Sequence, residues 1–237
     1  MSYFLFNGRY FITENGNYNF PEPLEALGDI VAIGGKITPE RLLVAYQNGI
    51  FPWYDESMPV LWQSPVERFV LPLEKLHIGK SMRKWMKHSP YRITADTCFK
   101  GVIKSCRIIK REGQYGTWIT PAVIDGYCKL FEMGYAHSVE CWLEEKLVGG
   151  LYGVSLGNYF FGESMFSRAD NASKTAFITL TEKMPALGLD MIDCQAYTEN
   201  MARYGAENVS REDFINKLRS DLTKHETNKG KWTDYFQ

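Results

Sequence analysis

The chain has 237 residues, of which 45% are hydrophobic and 23% are charged, with 27 Lys and Arg against 28 Asp and Glu. This is the composition of an ordinary globular protein, and it excludes a disordered chain, a collagen and a coiled coil. No run of 18 apolar residues occurs, so we expect no membrane-spanning helix, and the first residues do not predict a secretory signal.

The cysteines and histidines give no sign of a metal or disulfide site. The five cysteines are odd in number, and no two of them have the C-x-x-C spacing of a zinc site. None of the four histidines lies near another histidine, a cysteine or an acid at the spacing of metal ligands. A reducing cytoplasm is therefore the simplest compartment to expect.

The first 70 residues are rich in Gly, Pro and Asn turns, and they predict a small N-terminal domain with little regular structure. One helix is predicted there, because Thr38 suits an N-cap, Pro39 suits the first helical position and Gly49 suits the end. A mixed apolar stretch over 61–71 is predicted to lead into a second domain, which we place at residues 71–237.

The second domain has patterns typical of both helices and strands. Helices are predicted over 81–88, 98–111, 120–134, 171–187 and 210–222. Strands are predicted over 92–94, 137–143, 147–155, 158–165 and 191–194, the last of them short and central. This order predicts a mixed α/β fold of the α+β type, in which helices flank a largely antiparallel sheet. The polar tail from Lys224 is predicted to be loose.

The charge is unevenly distributed along the chain. Residues 75–111 contain 11 Lys and Arg but a single acid, Asp96. Such a segment can be a solvated basic face that balances acids elsewhere, but segregation this strong favours a site for a polyanion. Nucleic acid is the obvious candidate, because clustered cations neutralise phosphates.

Polar residues at strand ends are the candidates for chemistry. Asp193 and Gln195 are two residues apart on the short apolar strand, so they are predicted to share one face. An acid and an amide placed there are costly unless they have a function. Glu163 lies near the end of another apolar strand, where a simple outward-facing glutamate is the alternative. Trp53 and Trp118 lie in loops and can be structural anchors.

No G-x-S-x-G elbow, phosphate loop or H-E-x-x-H motif occurs. Instead, a series of short blocks resembles the leucyl/phenylalanyl-tRNA–protein transferase family, in the family's order. The blocks are FPWY at 51–54, LWQSP at 61–65, TWITP at 117–121, AHSVE at 136–140, LVGGLYGV at 147–154, GESMFSR at 162–168, NASK at 171–174 and IDCQ at 192–195.

The resemblance implies an aminoacyltransferase that moves Leu or Phe, and less often Met, from aminoacyl-tRNA to the N-terminal Arg or Lys of a protein. The product is then marked for degradation by the bacterial N-end rule pathway. The fold it implies is a small N-terminal domain followed by a domain resembling the GNAT acyltransferases. The reaction needs no metal or other cofactor, and we expect a cytoplasmic monomer without a membrane partner.

The resemblance also assigns roles to residues. Asp193 and Gln195 would orient and activate the attacking amine, and Glu163 would help to hold the amine or the basic side chain beside it. Trp53 and Trp118 match tryptophans that hold the terminal adenosine and the aminoacyl end. An apolar aminoacyl pocket would be lined by Phe160, Met165, Phe177, Leu180 and Ile192. The tRNA body would lie on the basic segment, at Lys80, Arg83, Lys84, Lys87 and Arg107.

The sequence departs from the family's pattern at Lys36, Gln63 and Asn200, where the family often has Asp, Trp and His. Two rival functions fit parts of the sequence. An acyl-CoA N-acyltransferase would share the fold, but the acyl-CoA loop is not found. A noncatalytic tRNA-binding module would explain the basic segment and leave the pairing of Asp193 with Gln195 unexplained.

Overall fold

The computed structural model describes residues 3–14, 17–109 and 116–237. Strands near the N-terminus form a five-stranded sheet in the order β1-β2-β3-β5-β4, in which β2 and β3 are parallel and the other pairs are antiparallel. The strands are β1 Tyr3–Phe6, β2 Arg9–Ile12, β3 Ile30–Ile33, β4 Phe51–Pro52 and β5 Leu61–Gln63. The prediction of little regular structure here was wrong, because strands of two to four residues are too short to show an alternating pattern.

The helix predicted beside this sheet is confirmed as α1 Pro39–Gln47. The Thr38 hydroxyl accepts a hydrogen bond from the Arg41 N–H, and Pro39 occupies the first turn. The chain leaves the helix through Gly49, whose φ of +70° suits a residue without a Cβ.

A seven-stranded sheet forms the larger part of the molecule, in the order β12-β6-β11-β10-β9-β8-β7. All neighbours are antiparallel except β10 and β11. Its strands are β6 Glu67–Pro72, β7 Arg92–Ala95, β8 Ala136–Leu143, β9 Lys146–Leu156, β10 Tyr159–Ser167, β11 Met191–Gln195 and β12 Glu207–Ser210. The predicted meander is therefore confirmed as β8–β10, and the short strand is central as predicted. Strands β6 and β12 were not predicted.

Helices cover both faces of this sheet. They are α2 Lys80–Met86, α3 Phe99–Ile108, α4 Pro121–Glu132, α5 Ala172–Lys183, α6 Glu199–Ala202 and α7 Arg211–Leu222. Helix α5 packs on one face with Leu151 and Phe160, while α3, α4 and α7 pack on the other with Tyr152 and Phe161. The long helix predicted over 171–187 ends at Lys183, and a 3-10 turn containing Pro185 follows it.

The apolar core on the α3 side continues into the N-terminal sheet, because one cluster contains Trp62 and Phe51 together with Phe161 and Val102. The last strand of the first sheet ends at Gln63, and the first strand of the second begins at Glu67. The division into domains at residue 70 stays a prediction, and so does the likeness of the second domain to GNAT acyltransferases.

The C-terminal segment, residues 224–237, corrects another expectation. Trp232 is buried, and the backbone N–H of Gly157 donates a hydrogen bond to the Thr227 hydroxyl at 2.9 Å. A 3-10 turn over Thr233–Phe236 follows. The segment is therefore packed against the sheet, and the prediction of a loose tail, made from its polar composition, was wrong. Within the described ranges, no helix is both long enough and apolar enough to cross a lipid bilayer.

Candidate active site

The site lies where the two parallel strands separate. Strands β10 and β11 pair at only three positions, the last joining Phe161 to Asp193. Beyond it each strand has an irregularity, at Glu163 in β10 and at Cys194 in β11. Gln195 has a φ of +66°, an uncommon conformation for a residue with a side chain. Bulges of this kind redirect side chains, and here they direct Glu163 and Gln195 towards each other.

A pocket of about 590 Å³ opens at this point, and its wall is mostly apolar. The predicted site residues that line it are Trp53, Trp118, Phe160, Glu163, Met165, Phe177, Ile192 and Gln195. Residues that the sequence analysis did not select also line it, among them Phe51, Leu151, Tyr152, Ser164, Tyr197 and Thr198. An apolar pocket with a few polar groups at one place is typical of a small-molecule site.

Leu180 does not line the pocket, and the prediction that it does was wrong. It is fully buried in the core cluster of α5, whereas Phe177 reaches the pocket. The two residues share a helix face, but three residues advance a helix axis by about 4.5 Å. That distance takes Leu180 beneath the site, where it packs without facing the cavity.

Glu163 is the polar centre of the pocket. Its carboxylate accepts hydrogen bonds from the Tyr46 hydroxyl at 2.6 Å, the Tyr127 hydroxyl at 2.9 Å and the Gln195 amide at 2.7 Å. Burial raises the pKa of Glu163 to about 7, although the three hydrogen bonds lower it in part. The group can therefore accept or release a proton near neutral pH.

Tyr46 and Tyr127 were not predicted as site residues, although both lie on the apolar faces of predicted helices. Their hydroxyls contact each other as well as Glu163. Burial and the nearby carboxylate raise the pKa of both tyrosines, so both stay protonated. A buried tyrosine needs a partner for its hydroxyl, and that requirement is the signal that the sequence offered.

Asp193 is fully buried and does not line the pocket. Its carboxylate receives two hydrogen bonds from Arg68, from Nε at 2.9 Å and from Nη2 at 2.6 Å. A third comes from the backbone N–H of Gln195 at 2.9 Å. The expectation that Asp193 and Gln195 present their side chains on one face was therefore wrong, because the irregularity at Cys194 breaks the two-residue period.

Arg68, another residue that the sequence analysis did not select, links this region to the N-terminal sheet. Its Nη1 donates to the backbone oxygen of Gly49 at 3.0 Å, and its guanidinium lies over the rings of Phe51 and Phe214. The charge is thus enclosed by one carboxylate, one carbonyl and two aromatic faces. Its sequence signal was a single arginine directly before the apolar run at 69–71.

Both predicted tryptophans, Trp53 and Trp118, line the pocket. Trp53 is 46% exposed, and its backbone oxygen accepts a hydrogen bond from the Gln63 amide at 2.6 Å. Gln63 is one of the departures from the family's pattern, and another, Asn200, lines the pocket. The third, Lys36, lies apart from the pocket lining and accepts a hydrogen bond from Arg41 through its backbone oxygen.

Comparison with known proteins bears directly on this site. The family model described as leucyl/phenylalanyl-tRNA protein transferase matches residues 70–219, and that of its N-terminal domain matches residues 35–66. The chain belongs to this family. All the polar residues of the pocket centre lie inside the two matched ranges.

Relatives that carry the name leucyl/phenylalanyl-tRNA–protein transferase support the assignment over nearly the whole chain. That of Myxococcus xanthus is 50% identical over 95% of this chain and 96% of its own length. The Flavobacterium johnsoniae protein is 48% identical over 85% of this chain and 95% of its own. The Shigella dysenteriae protein is 48% identical over 84% of this chain and 85% of its own.

The likeness to solved structures is much weaker than the likeness to these relatives. L-PGS from Bacillus licheniformis has a TM-score of 0.40 at 13% identity, and the alignment covers 72% of this chain and 56% of that one. A functionally unknown conserved protein from Staphylococcus epidermidis has a TM-score of 0.41 at 8% identity, covering 61% of this chain and 57% of that one.

The described part of the basic segment, residues 75–109, does not form one surface, and Lys110 and Arg111 of that segment lie outside the described residues. Helix α2 packs beside α5, and the Trp85 indole donates a hydrogen bond to Thr175 at 3.2 Å. Helix α3 packs on the opposite face of the sheet, and its Arg107 lies 3.7 Å from Glu56. The predicted cations of α2 and its C-cap are exposed, and they are Lys80, Arg83, Lys84 and Lys87. Arg107 is therefore separated from these four.

In the described part of the chain, no group of three or more His, Cys, Asp or Glu side chains is arranged to hold a metal ion. What the pocket offers is a proton acceptor at Glu163, an amide at Gln195 and an apolar wall. These groups suit proton transfer and the positioning of an apolar substrate beside an amine.

Proposed function

We propose that this protein transfers Leu or Phe, and less often Met, from aminoacyl-tRNA to the N-terminal Arg or Lys of acceptor proteins. The observation that carries the proposal is the apolar pocket closed at one place by Glu163 and Gln195, in a chain of this family. The apolar wall suits a Leu or Phe side chain, and the polar pair suits an attacking amine. The modified proteins would enter the bacterial N-end rule pathway.

The reaction is the aminolysis of an ester. The nitrogen of the neutral α-amine attacks the carbonyl carbon of the aminoacyl ester, the C–N bond forms, and the C–O bond to the ribose breaks. One amine proton leaves the nitrogen, and the released ribose oxygen gains a proton. The enzyme must therefore hold the amine unprotonated beside the carbonyl and provide a route for one proton.

Glu163 is the group in the pocket that we assign to the proton. With a pKa of about 7, it can accept a proton from the amine and pass it to the leaving oxygen. Gln195 donates to Glu163 through Nε2, which turns its amide oxygen towards the amine as an acceptor. The two side chains then hold the nucleophile together.

Asp193 acts in this proposal as a positioning residue. Its carboxylate receives the backbone N–H of Gln195 and the guanidinium of Arg68, so it holds the irregular end of β11 in place. The carboxylate that holds the Gln195 backbone in position is therefore buried and does not line the pocket. This replaces the expectation that Asp193 contacts the amine itself.

The donor would enter from the side of the tryptophans. Trp53 and Trp118 offer aromatic faces for the terminal adenosine and the aminoacyl end, and Phe160, Met165, Phe177 and Ile192 form the apolar wall. The tRNA body would follow the exposed cations of α2. Helix α2 contacts α5 at Thr175, and α5 also carries Phe177 of the pocket wall, so the same helix contacts both α2 and the pocket.

We further propose that the protein works in the cytoplasm as a monomer. Its five cysteines are all free, which suits a reducing compartment. Its substrates, an aminoacyl-tRNA and the N-terminus of a finished protein, meet there.

The experiment combines radiolabelled Leu-tRNA or Phe-tRNA with a protein that carries N-terminal Arg, N-terminal Lys or, as a matched control, N-terminal Ala. We expect label in the first two acceptors and none in the third. An Arg acceptor with an acetylated α-amine should also remain unlabelled, because the nucleophile is blocked. Failure to label the Arg and Lys acceptors would overturn the proposal.

A further inference from the structure

In the C-terminal segment, residues 224–237, Trp232 packs against the seven-stranded sheet. Trp232 is 1% exposed although Lys231 and Tyr235 beside it are exposed. Its backbone N–H donates to Asp96 Oδ2 at 2.7 Å. Its ring stacks on His137, with centroids 3.8 Å apart and an interplanar angle of 4°. Residue 232 lies beyond residue 219, where the family match ends.

Asp96 joins this segment to the sheet. Its Oδ2 atom lies 2.9 Å from His137 Nδ1, and its Oδ1 atom accepts the backbone N–H of Ser138 at 2.9 Å. One buried carboxylate therefore holds β8 and the backbone of Trp232 together, and fixes the plane on which the indole lies. The indole N–H itself has no hydrogen-bond partner among the described residues, so the ring contributes its shape here.

The other neighbour of Trp232 belongs to the pocket. The centroid of the Phe160 ring lies 5.8 Å from that of Trp232, and Phe160 lines the cavity. The Phe160 ring also lies directly over Gly153, where a Cβ atom would come within 2.5 Å of Phe160 Cζ. A glycine offers no side chain to hold the ring sideways. The position of the Phe160 ring therefore depends on its neighbours in the surrounding apolar cluster, and Trp232 is the one whose ring contacts it from the C-terminal segment.

We propose that Trp232 is a positioning residue that sets the depth of the donor pocket through Phe160. It thereby limits the size of the apolar aminoacyl side chain that the pocket accepts. This inference rests on the proposed function, because it concerns the donor pocket of that reaction. Trp232 does not line the pocket itself, and the pocket residue whose ring it contacts is Phe160.

The test compares Trp232→Leu, Trp232→Phe and the matched control Tyr235→Leu, which removes an exposed aromatic ring three residues away. Each variant receives Leu-tRNA, Phe-tRNA and p-methylphenylalanyl-tRNA as donors. In Trp232→Leu, Phe160 can move back, and we expect kcat/KM for p-methylphenylalanine to rise about tenfold relative to Leu. This is the scale on which an apolar pocket discriminates one added carbon. Trp232→Phe should lie between this variant and the wild type, and Tyr235→Leu should match the wild type.

A residue that only stabilised the fold would lower kcat/KM for all donors equally and leave their ratio unchanged. An unchanged ratio in a folded Trp232→Leu enzyme therefore overturns the inference. If Trp232→Leu does not fold, the ratio in Trp232→Phe decides, with a shift in the same direction expected. A wild type that transfers neither Leu nor Phe overturns the proposed function and the inference with it. An active wild type with unshifted variants overturns the inference alone.

Discussion

Glu163, Tyr46 and Tyr127 form a ring of three contacts between oxygen atoms. Each contact needs one proton, and the two tyrosines supply only two. The ring is complete when Glu163 carries the third proton, which agrees with the raised pKa of that carboxyl group. Because the tyrosines stay protonated, they also limit how far the pKa of Glu163 rises, by donating to its ionised form. Near neutral pH, both the protonated and the ionised form of Glu163 are therefore populated.

We expect the rate of transfer to follow the ionisation of Glu163. Its pKa is raised, so the carboxylate that accepts a proton predominates only above about pH 7. In the wild type, kcat/KM should rise as the pH increases through this value. Glu163→Gln should lower kcat by about a hundredfold or more and remove this step from the pH profile. A step that survived in the variant would belong to the amine of the acceptor.

The same raised pKa has a consequence for stability. The folded protein binds the Glu163 proton more tightly than the unfolded chain does, so wild-type stability should fall as the pH rises from 4.5 to about 7. The loss amounts to at most about 3 kcal/mol. Glu163→Gln, which cannot ionise, should have a higher free energy of unfolding than the wild type at pH 8, and the advantage should disappear at pH 5. Urea unfolding at both values measures it, and an equal difference at both would contradict the assignment.

Among elements, the contact between β6 and β11 contains a fully buried ion pair. Arg68 and Asp193 are both fully buried, and each satisfies the other with two hydrogen bonds. The sequence did predict that β11 is central, from its length and apolar residues. It could not predict its partner, because pairing with β6 joins residues 125 positions apart and leaves no local pattern. The irregularities at Glu163 and Cys194 were equally invisible, since they depend on how neighbouring strands meet.

Asp193→Asn should destabilise the protein by about 3 kcal/mol or more, because it leaves the Arg68 guanidinium buried without its counter-charge. Adding Arg68→Met to this variant should recover part of the loss, since it removes the unpaired charge. Denaturant unfolding of the wild type, Asp193→Asn, Arg68→Met and the double variant gives a double-mutant cycle, which measures the coupling energy of the pair. Strictly additive losses would show that the pair is not coupled in the folded state.

Gln195→Ala changes the residue of β11 that lines the pocket and leaves the buried Arg68–Asp193 pair in place. Gln195 is only partly buried, so we expect little loss of stability but a fall in kcat of about a hundredfold, because the amide no longer orients the amine and Glu163. Steady-state kinetics and thermal unfolding should be measured on the same preparation. A variant that lost stability and kept its kcat would place Gln195 in the fold and outside the reaction.

In the whole molecule, the seven-stranded sheet divides the basic segment between its two faces. The local excess of cations over 75–111 was evident from the sequence, and so was the order of the helices and strands. The sequence did not show that the sheet separates α2 from α3. These two helices are close together in the sequence, but they lie on opposite faces of the sheet. Similarly, the polar composition of the C-terminal segment did not reveal that Trp232 is buried, because an average composition says nothing about the packing of a single residue.

Neutralising Lys80, Arg83, Lys84 and Lys87 together should raise the KM for aminoacyl-tRNA and flatten its dependence on salt, because fewer counterions are released on binding. Transfer from a minimal aminoacyl-adenosine donor should hardly change. The control neutralises four exposed lysines elsewhere, Lys129, Lys146, Lys217 and Lys224. A rise in KM for both donors, or an equal rise in both sets of variants, would contradict a tRNA site on α2.

The position of β6 between β11 and β12 has a consequence for the synthesis of the chain. A ribosome completes β6 early, but its two neighbours emerge only after residues 195 and 210 have been made. Until then β6 has no partner on either edge, and the Arg68 guanidinium has no carboxylate. Contacts between such distant residues form slowly, because a long loop must close first. We therefore expect no transfer by a nascent chain until both β11 and β12 have left the ribosome.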